Sequence, residues 1–414
     1  MTLIKTSVLN FIATVIKIIS GIIINKAIAV YIGPSGLALI GQFQNFTQLV
    51  MTVAQGAINK GITKYTAEYA KEETKLSILF STASKISMFS SVLVSVGVLV
   101  FYQHAASFIL KDESYAYVFL IFGFTLILFV INGFLLSVIN GLKEINTWVK
   151  INILQSVYGL FFTTLLIFCL GLNGALIALV TNQSVVLFIV IWMLRKHSII
   201  KIKNFRSGFD SIEAKKLAGF AVMAIATAVT VPISHLLVRD YIGENLGWEA
   251  AGYWQAMWYI STMYLMVVTT TLSIYYLPRL SEIKDKIELR KELLLGYKVI
   301  MPIVILMSIA VFILKDFIIW FLFTEDFASM RSLFLWQLIG DVLKLAAWLL
   351  SYLMLAKAMT KRFVVTEVVF NCSFVFLSFF LVNAFGLIGM SYAFAFNYFL
   401  YLIMMVLATK KQWC

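Results

Sequence analysis

Charge is what this sequence has least of. Only 13% of its 414 residues are Asp, Glu, Lys or Arg, whereas 61% are hydrophobic, and mean hydropathy is +0.94. A soluble chain of that length cannot bury so much apolar surface, because much of any folded surface stays in contact with solvent. The solvent for most of the chain is therefore lipid. Histidine and cysteine number three each. His104, His197 and His235 are scattered, so no histidine-based metal centre is expected. Cys169 and Cys372 fall in apolar runs and Cys414 stands last, so neither a disulfide framework nor a metal-ligand spacing is expected. A Walker-type glycine-rich loop is missing too, which excludes ATP hydrolysis.

What is present is a series of apolar runs of membrane-crossing length, about 20 residues each. By hydropathy about twelve spans are expected: 8–31, 36–59, 77–102, 115–140, 147–170, 173–195, 217–238, 250–277, 297–315, 330–356, 361–384 and 386–409. Lys17 and Lys26 interrupt the first run, and it shows no small-residue cleavage pattern, so it is expected to be a span rather than a cleaved signal. The fold class is thus an all-α polytopic membrane protein.

The few charges are unevenly placed. Of the 33 Lys and Arg, four lie inside spans (Lys17, Lys26, Lys85 and Lys344) and four (Lys111, Arg239, Lys315 and Arg331) on one side. The remaining 25 lie on the other, in segments such as 60–75, 195–216, 279–298 and 357–362. The positive-inside rule then puts both termini in the cytoplasm. The formal charge of +13 is a topology signal. It predicts contact with anionic phospholipid headgroups and no nucleic acid.

The longest polar stretch, RKHSIIKIKNFRSGFDSIEAKK, parts the chain into an N-terminal six-helix bundle (1–195), a basic cytoplasmic linker (196–216) and a C-terminal six-helix bundle (217–414). Six spans per half allow two parallel bundles related by an axis along the membrane normal. Sequence echoes support a repeat. Gly171-Leu172-Asn173-Gly174 recurs as Gly386-Leu387-Ile388-Gly389, and Tyr31-Ile32-Gly33 as Tyr241-Ile242-Gly243. Loops opposite the cytoplasm are about a dozen residues at most, which leaves no room for an external catalytic domain.

Polar residues inside spans are costly in hydrocarbon and therefore informative. Gln337, Asp341, Lys344, Trp348 and Ser351 share one helical stripe. The sequence leaves open whether it faces a water-filled cavity or whether Asp341 and Lys344 simply pair. Lys17 lies roughly 13 Å deep at 1.5 Å per residue, too deep to snorkel easily, whereas Lys26 is nearer the outer end. Asn45, Gln48, Thr52, Gln55 and Asn59 form a second polar stripe, as either a packing seam or donors and acceptors for a sugar. Lys85 is placed to line the cavity or to snorkel. Glu367 is expected to pair with Lys361 or Arg362, and His235, Arg239 and Asp240 to form an interfacial cluster or an outer gate. Pro232 and Pro302 are expected to bend their helices. Trp254, Trp258, Trp336 and Trp348 are expected mostly in the lipid-facing belt. The cavity candidates Lys17, Lys85 and Lys344 outnumber the one acid, Asp341. A cationic cavity lined with amides suits the phosphate and sugar of a lipid-linked glycan better than a cationic drug.

Four stretches carry a resemblance: KIISGIIINKAIAVYIGPSGLAL (17–39), INKGITKYTAEY (58–69), YYLPRLS (275–281) and FASMRSLFLWQLIGDVLK (327–344). Over essentially its full length the chain resembles the Wzx polysaccharide flippases of the multidrug/oligosaccharidyl-lipid/polysaccharide (MOP) exporter superfamily. It is similar in particular to flippases of lipid III, the enterobacterial common antigen intermediate. The resemblance implies a twelve-helix, two-bundle flippase in the bacterial inner membrane. Its substrate would be an undecaprenyl-pyrophosphate-linked oligosaccharide, an O-antigen repeat unit or lipid III, moved to the periplasmic leaflet by alternating access. A polysaccharide polymerase and chain-length proteins are further expected partners. It implies no catalytic residues, metal or cofactor, because flipping makes no covalent bond. The substrate-binding candidates are Lys17, Lys85, Lys344, Asn45, Gln48, Gln55 and Gln337. The ion-coupling or gating candidates are Asp341, Glu367, His235 and Arg239, with a proton, a sodium ion or the membrane potential as the driving force. Two other readings stand beside this one. A multidrug cation antiporter of the same superfamily would need an acidic cavity, and a glycan polymerase or ligase would need a large external loop.

Overall fold

The computed structural model describes residues 3–195, 202–205, 207–283, 285–357 and 359–413, without the side chains of 3–11, 202–203, 220, 222–223, 226–227, 273–274 and 277–278. Lys196, Lys201, Arg206 and Lys284 of the topology argument, His197 and Cys414 lie outside the described residues. Among the described residues all regular structure is helical. Lipid offers no hydrogen bonds, so the backbone must satisfy itself within each segment.

The helices are α1 (Leu3–Tyr31), α2 (Gly33–Ala54), α3 (Asn59–Glu68), α4 (Glu73–Val100), α5 (Tyr102–Ile109), α6 (Ala116–Gly141), α7 (Ile145–Leu194), α8 (Ser211–Leu246), α9 (Trp248–Thr271), α10 (Leu277–Glu282), α11 (Lys286–Ile313), α12 (Lys315–Leu322), α13 (Phe334–Ala356), α14 (Thr360–Phe385) and α15 (Ile388–Trp413). Eight helical stretches among the described residues are long and apolar enough to cross a membrane. Large apolar side chains such as Phe89, Phe124 and Phe376 are more than 70% exposed on them. In water such surface would drive aggregation; in lipid it is the solvated face. Side chains set several boundaries. Asp285 Oδ2 accepts from the Glu288 N–H at 2.9 Å and starts α11, as Ser, Thr, Asp and Asn caps do. Asp210 Oδ1 accepts from the N–H groups of Ile212 and Glu213, both at 2.8 Å, and starts α8. Pro232 and Pro302 lie inside α8 and α11, both continuous helices.

The chain forms two compact units, Met1–Ile32 with Gln42–Pro232, and Gly33–Gly41 with Ile233–Cys414. In the first, Phe43 and Phe46 of α2 meet Phe119 and Phe122 of α6 in edge-to-face contacts, the closest at 5.2 Å. In the second, α9, α13, α14 and α15 share a core around Trp254, Phe374, Phe394 and Tyr401.

The repeat is visible in backbone geometry. Gly171 (φ 57, ψ −130) breaks α7 into two legs, and Gly386 (φ 64, ψ −148) ends α14 in the same conformation. Both sit in the left-handed region that favours glycine. Three residues on, the chain turns back against itself. A Cβ at Gly174 would lie 1.9 Å from the Leu166 carbonyl, and one at Gly389 2.0 Å from that of Leu381. The second echo was misaligned. Gly33 (φ 79) is a turn residue, but Gly243 lies inside α8. The partner of Gly33 is Gly247 (φ 93), which precedes α9. The second polar stripe also needs correction: α2 stops at Ala54, the chain turns through Gly56 and Ala57 at positive φ, and Asn59 starts a new helix.

The close approach at Gly389 generates a test. Gly389→Ala forces the Cβ into a backbone carbonyl and is expected to cost about 1–3 kcal/mol, as overpacking does. It will appear as a lowered unfolding temperature in detergent. Gly97→Ala, where nothing lies within 4 Å, is the control and should not destabilise.

Candidate functional site

In the second unit α13 carries its polar stripe inward. Gln337, Asp341, Lys344 and Ser351 are all buried, and Trp348 is half-buried. Gly340 makes room: a Cβ there would come within 2.3 Å of the Phe394 ring, so α15 can approach α13 closely.

Asp341 and Lys344 do not pair. Asp341 Oδ2 accepts from Ser261 Oγ at 2.6 Å and from the Tyr264 hydroxyl at 2.9 Å, both on α9. Asp341 Oδ1 and Gln337 Oε1, both buried, have no hydrogen-bond partner. The Lys344 ammonium instead sits over three aromatic rings, Trp258 at 4.8 Å, Trp348 at 4.9 Å and Tyr398 at 5.9 Å. Each desolvated cation–π contact contributes about 2 kcal/mol, and together they offset much of the several kcal/mol that burying an ammonium costs. The lysine is solvated by ring faces rather than by a counter-charge.

The same arrangement continues along α8 and α9. The His235 ring lies against Trp258 at 4.3 Å and stacks on Trp254 at 5.4 Å. Arg239 lies 5.4 Å from the Trp254 ring, and its Nη2 donates to Gln255 Oε1. Three basic side chains thus alternate with two indoles: Arg239, Trp254, His235, Trp258, Lys344. His235 and Arg239, only 6% and 1% exposed, are buried inside the unit. Spacing explains it, because residues four apart on α8 share the face that α9 covers.

Glu367 on α14 is half-buried and accepts from the Tyr401 hydroxyl at 2.6 Å. It does not pair with Lys361 or Arg362; Arg362 donates to the Ala408 carbonyl at 2.9 Å. Asn371, one turn on, donates to the Glu367 carbonyl at 2.8 Å and accepts from Ser234 Oγ at 3.1 Å.

The remaining candidates are in the first unit. Lys17 on α1 and Gln48 on α2 are exposed, and Asn45 on α2 is half-buried. Gln55, at the end of α2, accepts from Asn59 Nδ2 at 2.7 Å and packs against Gly133 of α6. Lys85 on α4 is exposed and donates to the Ser207 carbonyl at 2.9 Å. The structure therefore gathers Gln337, Asp341, Lys344, His235 and Arg239 around one aromatic column and leaves Lys17 and Lys85 on separate helices of the other unit. Among the described residues no group of three or more His, Cys, Asp or Glu could hold a metal.

Sequence reasoning missed Ser261, Tyr264, Tyr398 and Tyr401; it put Trp348 on the α13 stripe but expected tryptophans such as Trp254 and Trp258 mostly in the lipid belt. The signal was there: Trp254, Trp258 and Ser261 recur at helical spacing, as do Tyr398 and Tyr401.

Comparison with known proteins shows where this helical architecture recurs. A multidrug resistance MATE family transporter of the MOP superfamily, in its inward-facing conformation, superposes with a TM-score of 0.76 at 13% identity, over 96% of this chain and 95% of that one. The lipid II flippase MurJ in an inward closed conformation gives 0.70 at 14% identity, over 98% and 87%. The chain has the MOP-superfamily transporter fold. It belongs to the polysaccharide biosynthesis protein family, whose model matches residues 3–284. Within that family it is 30% identical to the Lipid III flippase of Escherichia coli (strain K12), over 97% of this chain and 96% of that protein.

The two hydroxyls on Asp341 can be weighed. Hydrogen bonds to a charged group contribute about 1.5–3 kcal/mol each. Ser261→Ala and Tyr264→Phe should each lower stability by that order, measured by thermal unfolding in detergent. In an Asp341→Asn background, where the charge is gone, the Tyr264→Phe loss should fall to about 1 kcal/mol.

Proposed function

We propose that this protein is a flippase for an undecaprenyl-pyrophosphate-linked oligosaccharide, of the O-antigen repeat-unit or lipid III type. It moves the headgroup from the cytoplasmic to the periplasmic leaflet of the bacterial inner membrane by alternating access of its two halves. One observation carries the reading: Lys344 is a buried cation framed by Trp258, Trp348 and Tyr398 with no acid paired to it. Such a charge is poised for an incoming anion, and half-buried indoles beside it offer faces on which a sugar ring can stack. The relationship to a lipid III flippase supports the same substrate class. Lys17, Lys85, Asn45, Gln48 and Gln55 are further substrate-binding candidates within the first unit, and Gln337 lies on α13 with Lys344.

The topology we propose is twelve spans in two parallel six-helix bundles with both termini cytoplasmic. The matched glycine turns at Gly171 and Gly386 and the 25-to-4 basic asymmetry support it. The buried basic groups Lys344 and Arg239 argue against a multidrug cation antiporter, for which the fold likeness alone speaks.

Carrying a pyrophosphate across the membrane needs a driving force. We assign it to a proton or sodium ion taken up at Asp341, with Glu367 the other titratable candidate. The support is a pair of buried acceptor oxygens one turn apart, Asp341 Oδ1 and Gln337 Oε1, both without a donor. His235 and Arg239 serve as gating groups next to the same column.

The test uses cells that depend on this protein for surface glycan. Lys344→Met keeps the volume and removes the charge. It should reduce surface glycan at least about tenfold at equal membrane expression, as loss of a desolvated charge contact of about 2 kcal/mol or more would. Stability should change little, because buried charges are often replaced at no net cost. Wild-type glycan levels in Lys344→Met would refute the cationic-site reading.

A further inference from the structure

The polar segment before α8 is folded onto the first unit. Phe205 stacks on Phe80 at 5.6 Å and tilts against Phe134 at 5.9 Å. At the other end, Tyr69 of the chain just after α3 donates to Glu213 Oε1 at 3.2 Å. Lys216 donates to the Tyr69 hydroxyl at 2.8 Å and to Glu213 at 2.7 Å. Glu213 first, then Tyr69, raises the Lys216 pKa above the usual lysine range, so this clasp stays charged near neutral pH. Leu217, fully buried among Ile62, Leu79 and Phe134, closes the anchor.

Between the two anchors Ser207–Asp210 is coil. The Ser207 carbonyl accepts from Ser81 Oγ and, at 2.9 Å, from the Lys85 ammonium. The Asp210 N–H donates to Thr82 Oγ1 at 3.0 Å. The Asp210 carboxylate is occupied capping α8, so the coil offers Lys85 a neutral oxygen and no charge. A hydrogen bond from an ammonium to an anion is roughly twice as strong as one to a neutral acceptor. A phosphate that reaches Lys85 therefore competes with the carbonyl for the ammonium.

We propose that residues Ser207–Asp210 form a strap that the pyrophosphate of the substrate displaces from Lys85. In the empty protein the Ser207 carbonyl occupies the anion's place. When the headgroup arrives, Lys85 transfers to it and the coil is released between its two anchors. Asp210 is the cap of α8, and α8 runs on past Pro232 into the residues of the second unit. Loading at Lys85 is thereby linked to the helix that carries His235 and Arg239. This inference rests on the flippase reading above, and it adds a specific contact that must break before transport.

The experiment is hydrogen exchange of the 207–213 segment in nanodiscs of zwitterionic lipid, with and without inorganic pyrophosphate. Pyrophosphate should speed exchange at the Asp210 amide roughly tenfold, the factor that about 1.4 kcal/mol of competition produces. Lys85→Gln should exchange fast from the start and not respond. An unchanged Asp210 amide in the wild type overturns the proposal. So does release by phosphatidylglycerol nanodiscs to which pyrophosphate adds nothing, because the anion would then be the bilayer's own. A second arm does not need Lys85 altered. In a background with Cys169, Cys372 and Cys414 changed to Ser, Ser81→Cys with Ser207→Cys locks the strap by a disulfide. Glycan flipping in vesicles should stop on oxidation and resume on reduction; full flipping by the locked protein overturns the strap. Failure here is separable from failure of the flippase reading. A silent strap with a transport-defective Lys85→Gln removes the strap alone, whereas normal flipping by Lys85→Gln removes the pyrophosphate role of Lys85 as well.

Discussion

A lysine ammonium buried in an apolar helix bundle must be solvated by something, and in this protein aromatic faces do it. Lys344 rests among Trp258, Trp348 and Tyr398, while the acid one turn away is held by two hydroxyls from another helix. The surrounding structure follows from that constraint. Gly340 lets α15 come close enough to supply Tyr398. The spacing of α9 supplies Trp258 on the same face as Ser261 and Tyr264. His235 and Arg239 extend the pattern along α8, so basic side chains alternate with indole rings inside the unit. Quadrupoles can stabilise a cation without cancelling its charge, which is what a site for an anion requires and what a salt bridge would prevent.

The two units repeat one backbone device. A left-handed glycine reverses the chain, and a second glycine three residues later lets the returning leg touch the carbonyl of the first. The polar residues do not repeat in the same way. Buried charge is concentrated in the second unit, whereas the first presents exposed lysines and amides. The two units share that turn and differ in their polar residues, with buried basic groups in one and more accessible groups in the other.

Much of this was legible in the sequence because the membrane makes hydropathy so informative. The all-helical class, the stripe on α13 and the GLNG/GLIG repeat all follow from period and composition. What was not legible had a common cause. The choice between an Asp341–Lys344 pair and separate partners depends on what neighbouring helices bring, and a one-dimensional period cannot give that. Trp254 and Trp258 look like belt residues when only hydropathy is weighed, yet α8 places basic groups against them. Glu367 had two basic neighbours in sequence and took a tyrosine from α15 instead. The turn at Gly56 and Ala57 was hidden because the polar stripe continued across it. Pattern reads one helix well; the partner of a buried polar group is a tertiary fact.

The central claim is that Lys344 is the cation that receives the pyrophosphate. It is tested most directly by measuring the binding of a purified undecaprenyl-pyrophosphate-linked glycan to the wild-type protein and to Lys344→Met in nanodiscs. The account predicts a loss of affinity of about tenfold or more, that is about 1.4 kcal/mol or above, with the folded protein intact. Equal affinity in the two proteins would contradict it.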